Sequence, residues 1–68
     1  MVKEEFGRRL KESRKIAGYT QKEAARVLGI LQPAYARYEA GTVELDYEKL
    51  ITLCRLFHVS SDYLLGLE

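Results

Sequence analysis

The side chains that could bind a charged ligand are unevenly distributed along this chain. Residues 1–41 carry nine Lys or Arg and five Glu, a net charge of +4. Residues 42–68 carry two basic and five acidic residues, a net charge of −3. Guanidinium and ammonium groups bind phosphates strongly, so a basic half joined to an acidic half suggests that one end meets a polyanion. Ordinary solvated helix faces would give the same balance, and charge alone does not separate the two.

Side chains suited to covalent catalysis or metal binding are scarce. The sequence has one Cys, Cys54, and one His, His58, too few for an internal disulfide or a structural zinc site. The other candidates for a catalytic triad crowd into the turn and helix start after His58: Ser60, Ser61 and Asp62. A triad needs three groups that converge around a pocket, whereas these residues have capping or first-turn roles. We therefore expect no enzymatic activity, no metal, no cofactor and no small-molecule ligand.

Length and composition limit the class of protein. A chain of 68 residues has room for one domain, residues 1–68, and not for two. The charged N-terminus lacks the apolar stretch of a signal peptide, and no run approaches the ~20 apolar residues that span a bilayer. A single Cys fits a reducing compartment. We expect a cytoplasmic protein that does not enter membranes.

The hydrophobic pattern predicts five short helices and no β-strand, which is an all-α fold. A first helix from about residue 4 to residue 17 is predicted from three apolar positions: Phe6, Leu10 and Ile16. Its basic residues are interpreted as a solvated face: Arg8, Arg9 and Lys11. A fourth helix begins after Asp46, and a fifth begins after Ser60, because both side chains are suited to capping the backbone N–H groups of a helix start.

Residues 20–39 have the pattern of two helices joined by a tight turn. Thr20 opens the second helix with a capping box, and Gly29 ends it. Residues 30–32 form the turn, and Pro33 lies in the first turn of the third helix, where its missing N–H costs nothing. A helix, a Gly-containing turn and another helix make a helix-turn-helix, in which one helix braces against the DNA backbone and the other enters the major groove.

Several stretches of the chain resemble one protein family, and they are spread over nearly the whole domain. They are residues 9–15, 20–23 (TQKE), 28–30 (LGI), 37–41 (RYEAG) and 50–60, with residues 62 and 64–66. In these stretches the chain is similar to the Cro/cI-type helix-turn-helix family of phage repressors and xenobiotic-response-element-like bacterial regulators. The resemblance implies a compact five-helix, lambda-repressor-like domain that binds double-stranded DNA through a helix-turn-helix at about residues 20–39.

The resemblance also implies roles for individual residues. Four would contact the DNA backbone: Thr20, Gln21, Lys22 and Arg26. Three would face the bases: Gln32, Ala34 and Arg37. A Gln can pair with N6 and N7 of adenine, an Arg can bond guanine or a phosphate, and an Ala can contact the methyl group of thymine. Arg14 and Glu39 would form an ion pair that links the first and third helices.

The chain departs from the family in the third helix and the loop after it. Leu31 stands where the family usually has a Ser or Thr cap. Pro33 and Ala34 replace polar residues, and Pro33 disfavours helical angles at Gln32, so that Gln32 either reads a base or caps the helix. Glu44 would repel phosphate. These changes leave direct readout of sequence to few residues.

Three buried positions differ in size from the family pattern. Tyr35, at helical spacing from Tyr38, is larger than the expected aliphatic residue, whereas Ser13 and Ala24 are smaller than the expected Leu. Cores tolerate exchanges that preserve total volume, so we expect Tyr35 in the core, where it fills the space left by the two smaller residues.

The C-terminal end carries more apolar residues than so small a protein needs at an exposed end. Some of them would pack inward, and the rest would form the interface of a homodimer. The predicted interface residues are Phe57, Tyr63, Leu64, Leu65 and Leu67.

The sequence therefore predicts a dimeric, sequence-specific DNA-binding regulator, by default a repressor that occupies a two-fold operator. An alternative keeps the fold and changes the partner. In that interpretation the protein is an antitoxin or adaptor whose main surface binds another protein, such as a toxin or an anti-repressor.

Overall fold

A computed structural model describes residues 3–67, and over that span the chain forms five helices and no strand. They are α1 (Lys3–Ala17), α2 (Gln21–Leu28), α3 (Gln32–Ala40), α4 (Tyr47–Phe57) and α5 (Ser61–Leu65). The predicted all-α fold of five helices is thus confirmed. The domain limits predicted at residues 1 and 68 lie outside the described residues. No helix within residues 3–67 is long and apolar enough to cross a membrane.

Helices α2, α4 and α5 begin after residues whose side chains accept hydrogen bonds from backbone N–H groups of the first turn. The Thr20 hydroxyl accepts a hydrogen bond from the Glu23 N–H at 3.1 Å, and the Glu23 carboxylate accepts one from the Thr20 N–H at 2.8 Å. This capping box lowers the pKa of Glu23, chiefly through the bond from the Thr20 backbone. Asp46 and Ser60 cap α4 and α5 in the predicted manner. His58 takes a left-handed conformation with φ of 57° after α4.

Side chains from all five helices form the core. Its buried apolar residues are Phe6, Leu10, Ala24, Ala25, Tyr35, Leu53, Phe57 and Leu64. Tyr35 is fully buried, and Ser13 and Ala24 are buried as well, as the expected exchange of volume requires. The prediction for Ile16 is wrong, since its side chain is 87% exposed. At 100° per residue, Ile16 lies about 240° around the helix from Leu10, so it points away from the core.

The apolar residues of the C-terminal end divide between core and surface. Phe57 is 4% exposed and Leu64 is 1% exposed, so the prediction that they form a dimer interface is wrong. A chain of this size has few apolar residues with which to build a core, and the core buries both Phe57 and Leu64. Tyr63 and Leu65 are partly buried against the core, whereas Leu67 is 71% exposed.

Arg9 connects the two ends of the chain. Its Nη1 donates a hydrogen bond of 2.6 Å to the Tyr63 carbonyl, and its Nη2 lies 2.8 Å from a Glu5 carboxylate oxygen. The guanidinium carbon is 5.3 Å from the centre of the Tyr63 ring, within the range of a cation–π contact. The interpretation of Arg9 as a solvated residue is therefore wrong, because it binds a carbonyl in the last turn of α5.

Helices α1 and α3 approach each other closely at Gly7. A Cβ atom on this buried residue would overlap the carbonyl oxygen of Glu39 and lie 3.0 Å from that of Tyr38. Only Gly lets the two helices pack this closely. The contact sets how near the carboxylate of Glu39 comes to α1.

We expect Gly7→Ala to destabilise the protein by about 1–2 kcal/mol. Helix propensity alone would favour Ala by about 1 kcal/mol, but overpacking costs about 1–3 kcal/mol or more, and a backbone carbonyl cannot rotate out of the way. Urea unfolding monitored by circular dichroism measures the difference. Lys15→Ala, an exposed change on the same helix, is the control and should stay within about 0.5 kcal/mol of wild type. A Gly7→Ala protein that is more stable than wild type would contradict the close approach.

Candidate nucleic-acid interface

The turn between α2 and α3 is shorter than the sequence predicts, because Gln32 is the first residue of α3. Leu31 precedes it in extended conformation, with φ of −80° and ψ of 152°, and makes no side-chain cap. The Leu31 carbonyl accepts hydrogen bonds from the N–H groups of Ala34 and Tyr35 at 3.0 and 3.1 Å. Pro33 follows as the second helical residue, where an N–H would lack an intrahelical partner in any case. The alternative in which Gln32 caps the helix is wrong.

The Gln32 side chain instead joins a series of hydrogen bonds that runs back to α1. Its Nε2 donates to Gln21 Oε1 at 2.8 Å, and Gln21 Nε2 donates to Glu39 Oε1 at 3.0 Å. Glu39 also accepts bonds from Arg14 Nε at 2.7 Å and from Arg14 Nη2 at 3.2 Å. We call Arg14, Glu39, Gln21 and Gln32 the polar chain. It connects three helices and fixes the side chain at the start of α3.

Gln32 keeps most of its hydrogen-bonding capacity in this arrangement. A primary amide has two N–H donors and a carbonyl oxygen with two acceptor sites. The bond to Gln21 uses one donor, and within residues 3–67 no other side-chain bond of Gln32 is formed. One donor and the oxygen therefore remain, which is the pair of groups that binds N7 and N6 of adenine.

The Arg14–Glu39 ion pair is sequestered from water, with the two side chains 9% and 3% exposed. Burial would raise the pKa of Glu39, but the hydrogen bonds from Arg14 and Gln21 outweigh it and hold this pKa below its usual value. The bond to Glu39 in turn raises the pKa of Arg14. Arg14 also donates from Nη1 to the Tyr19 carbonyl at 2.8 Å. The pair therefore fixes the loop before α2 as well as α1 and α3.

Tyr35 packs beside this ion pair from the core side. Among the described residues, its hydroxyl oxygen is a buried side-chain atom with no hydrogen bond of normal geometry. Burial, followed by the nearby Glu39 carboxylate, raises its pKa. The ring meets that of Tyr38 edge to face, with 6.1 Å between centroids. Tyr35 therefore fills space in the core, and the ion pair is closed off from solvent on that side.

The other predicted DNA-contacting residues lie on α2, at its N-cap or on α3. Four of them are exposed, namely Thr20, Lys22, Arg26 and Arg37, and two are partly buried, namely Gln21 and Ala34. An open groove between α2 and α3 is lined by Lys22, Ala25, Arg26, Ile30, Leu31 and Gln32. Within residues 3–67, none of the cations of Lys22, Arg26 and Arg37 forms an ion pair. These cations are therefore available to an external anion.

Leu31 belongs to this surface, although its sequence position predicts only the loss of a helix cap. Its side chain is 79% exposed and lines the groove next to Gln32. Its position in the turn after Gly29 was the available signal, since residues at the start of the second helix of such a motif face the ligand.

Comparison with known proteins gives one family and several relatives. A family model described as helix-turn-helix matches residues 10–64. The chain is 50% identical over 61 residues to the HTH-type transcriptional regulator ImmR of Bacillus subtilis, an alignment that covers 90% of this chain and 48% of ImmR. It is 38% identical over 55 residues to the antitoxin PezA of Streptococcus pneumoniae, covering 81% of this chain and 35% of PezA. The chain thus spans about half or less of these relatives.

A solved structure has the same fold. The crystal structure of the clp gene regulator ClgR from C. glutamicum superimposes with a TM-score of 0.81 at 24% sequence identity, covering 97% of this chain and 86% of that one. At this identity the likeness concerns the fold. It supports the arrangement of five helices described above.

We expect Glu39→Gln to lower the free energy of unfolding at pH 7 by about 3–5 kcal/mol, because Arg14 would remain charged and unpaired in a buried site. Since folding lowers the pKa of Glu39, its contribution is present above the unfolded value of 4.5 and is lost as the pH falls through the folded pKa. Wild type should therefore lose stability below pH 4.5, and the variant should lose less over that range. Thermal unfolding between pH 7 and pH 3 measures both effects.

Glu12→Gln is the matched control, because Glu12 forms an exposed ion pair with Arg8 at 2.8 Å. Such pairs contribute about 0–1 kcal/mol. Equal losses for the two variants would contradict the role given to Glu39.

We expect Leu31→Ser to stabilise the protein by about 0.5–2 kcal/mol, the usual gain of a side-chain cap. The exposed Leu31 side chain gives up little packing in the exchange. Leu31→Ala, which cannot cap, is the control in the same thermal unfolding experiment. A Leu31→Ser protein no more stable than Leu31→Ala would show that α3 does not respond to a cap.

Proposed function

The chain belongs to the Cro/cI-type helix-turn-helix family, and we propose that it is a sequence-specific DNA-binding transcriptional regulator. The observation that carries the proposal is the position of Gln32. Its amide is held at the start of α3 by the polar chain, beside the unpaired cations Lys22 and Arg26. A fixed polar group for a base edge, flanked by cations for phosphates, is the combination that sequence-specific binding requires.

In the proposed complex α3 enters the major groove and α2 lies against the backbone. Lys22 and Arg26 contact phosphates, and Thr20 and Gln21 at the start of α2 add polar contacts to the backbone. These contacts set the register of the protein on the duplex and carry no sequence information. Lys22, Arg26 and Arg37, which form no ion pair within residues 3–67, supply the positive charge of this side that attracts DNA.

Bases are read from α3. Gln32 pairs with an adenine through its free N–H and its carbonyl oxygen. Arg37, exposed near the end of the helix, bonds a guanine or a phosphate, and Ala34 contributes apolar contact. This is a small set of readers, so one domain selects only a short half-site.

We further propose that the protein binds as a homodimer to a two-fold operator and represses transcription by occupying it. A dimer places two α3 helices about 34 Å apart, one turn of DNA. With Phe57 and Leu64 buried, the available interface residues are Tyr63, Leu65 and Leu67. The relative ImmR is named as a transcriptional regulator, which supports regulation as the outcome of binding. The proposed location is the bacterial cytoplasm.

The second candidate function is that of an antitoxin or adaptor that binds another protein. Leu31, Pro33 and Ala34 leave the start of α3 poor in hydrogen-bond donors, and the exposed Glu44 in the following loop would repel phosphate. The relative named as an antitoxin, PezA, supports this alternative at lower identity.

The test is binding to the DNA upstream of the protein's own gene at several salt concentrations. We expect a footprint of two half-sites that is abolished by Gln32→Ala combined with Arg37→Ala. The affinity should fall with salt with a slope near −0.9 per phosphate contact. Glu12→Ala combined with Arg55→Ala, exposed changes outside the helix-turn-helix, is the control and should leave the footprint intact. Salt-sensitive binding without sequence preference would favour the adaptor.

The homodimer is tested separately by analytical ultracentrifugation with and without operator DNA. We expect a weak dimer in free solution and two protomers on the two-half-site DNA. Only monomer at high micromolar concentration, together with one protomer per operator, would refute the dimer.

A further inference from the structure

Leu31 combines a missing helix cap with an exposed apolar side chain. It is the residue before α3 and makes no cap, although Ser, Thr, Asn and Asp are strongly preferred there. It is also a large apolar side chain left 79% exposed, and the fold gains little burial from it. A residue that violates local preferences without a structural gain commonly marks a functional site.

The surroundings of Leu31 indicate what it meets. It lines the groove between α2 and α3 together with Gln32, which is the base-reading residue of the proposed function. Lys22 and Arg26 line the same groove and are unpaired within residues 3–67. A duplex whose phosphates bind these cations therefore brings the edge of a base pair toward Leu31 as well as toward Gln32.

The major groove offers few groups that a leucine can contact favourably. Guanine, adenine and cytosine present hydrogen-bond donors and acceptors there, and thymine adds a 5-methyl group. A donor or acceptor placed against Leu31 would lose water without gaining a partner. A methyl group would be buried with a gain of free energy.

We propose that Leu31 is a specificity-determining residue that selects a thymine, through its 5-methyl group, next to the base pair that Gln32 faces. This inference rests on the proposed function and deepens it. The half-site is then defined by one hydrogen-bonding reader and one apolar reader at adjacent positions of the chain. The loss of the cap at α3 is the structural consequence of placing an apolar reader at residue 31.

The experiment replaces single thymines by deoxyuridine, which removes the methyl group and keeps the base pairing. Binding sites are first selected from random duplex DNA with the wild-type protein. Each thymine of the selected half-site is then replaced, symmetrically in both half-sites, and dissociation constants are measured for wild type, Leu31→Ser and Ile16→Ser. Ile16 is the matched control, since it is 87% exposed and lies on α1.

At one thymine position, we expect the replacement by deoxyuridine to weaken the binding of wild type and of Ile16→Ser by about fourfold per methyl group removed. A factor of about four is what the burial of one methylene-sized group contributes to an equilibrium constant. Leu31→Ser should bind thymine and uracil DNA within about 1.5-fold of each other at that position, and its melting temperature should not be below that of wild type. Selection with Leu31→Ser should recover sites in which this thymine is no longer enriched.

Three results would overturn the proposal. One is wild-type binding that is unchanged at every replaced thymine, and another is a Leu31→Ser protein that still discriminates thymine from uracil. The third is a wild type that enriches no sequence at all, which would refute the proposed function together with this inference. The first two leave sequence-specific binding in place and reject only the role of Leu31.

Discussion

The buried ion pair between Arg14 and Glu39 is the interaction on which the rest of the structure depends. Two charges taken out of water must be close and fully hydrogen-bonded to be tolerated, and here Glu39 accepts bonds from both Arg14 and Gln21. Gly7 allows α1 to come near enough to α3 for the pair to form, and Tyr35 closes it from the core side. The need to hydrogen-bond this buried pair fully therefore constrains how α1, α2 and α3 are arranged.

Helix α3 is a weak helix by local criteria and depends on that tertiary support. It has nine residues, fewer than an isolated helix needs to be stable in water. It begins without a cap and has a proline in its first turn. Its position is fixed by Tyr35 in the core and by the bonds of Gln21, which accepts from Gln32 and donates to Glu39. The same contacts that hold the helix also orient the side chain that would read DNA.

Signals carried by neighbouring residues were predictable from the sequence. The capping box of Thr20 and Glu23 and the caps at Asp46 and Ser60 each involve residues that are close together in the sequence, and they indicated the number and order of the helices. The helix-turn-helix followed from them and from the resemblance to its family.

Features that depend on distant parts of the chain were not predictable in this way. Arg9 binds the carbonyl of Tyr63, a residue 54 positions away, and nothing near Arg9 in the sequence indicates it. Gln32 enters the helix despite Pro33, and its side chain bonds Gln21 across the turn. Phe57 and Leu64 are apolar, as interface residues often are, but the small core of this protein buries both of them. In each case a contact with residues elsewhere in the fold outweighs the preference that the neighbouring sequence indicates.

Neighbouring positions 31 and 32 differ in how freely they can change during evolution. Gln32 is bonded to Gln21 and through it to the buried ion pair, so a new side chain there disturbs groups on three helices. Leu31 contributes neither a cap nor much burial, so almost any side chain fits the fold at that position. Under the role proposed for Leu31, a substitution at residue 31 would change the target sequence at little cost in stability, whereas a substitution at residue 32 would also remove the hydrogen bond to Gln21.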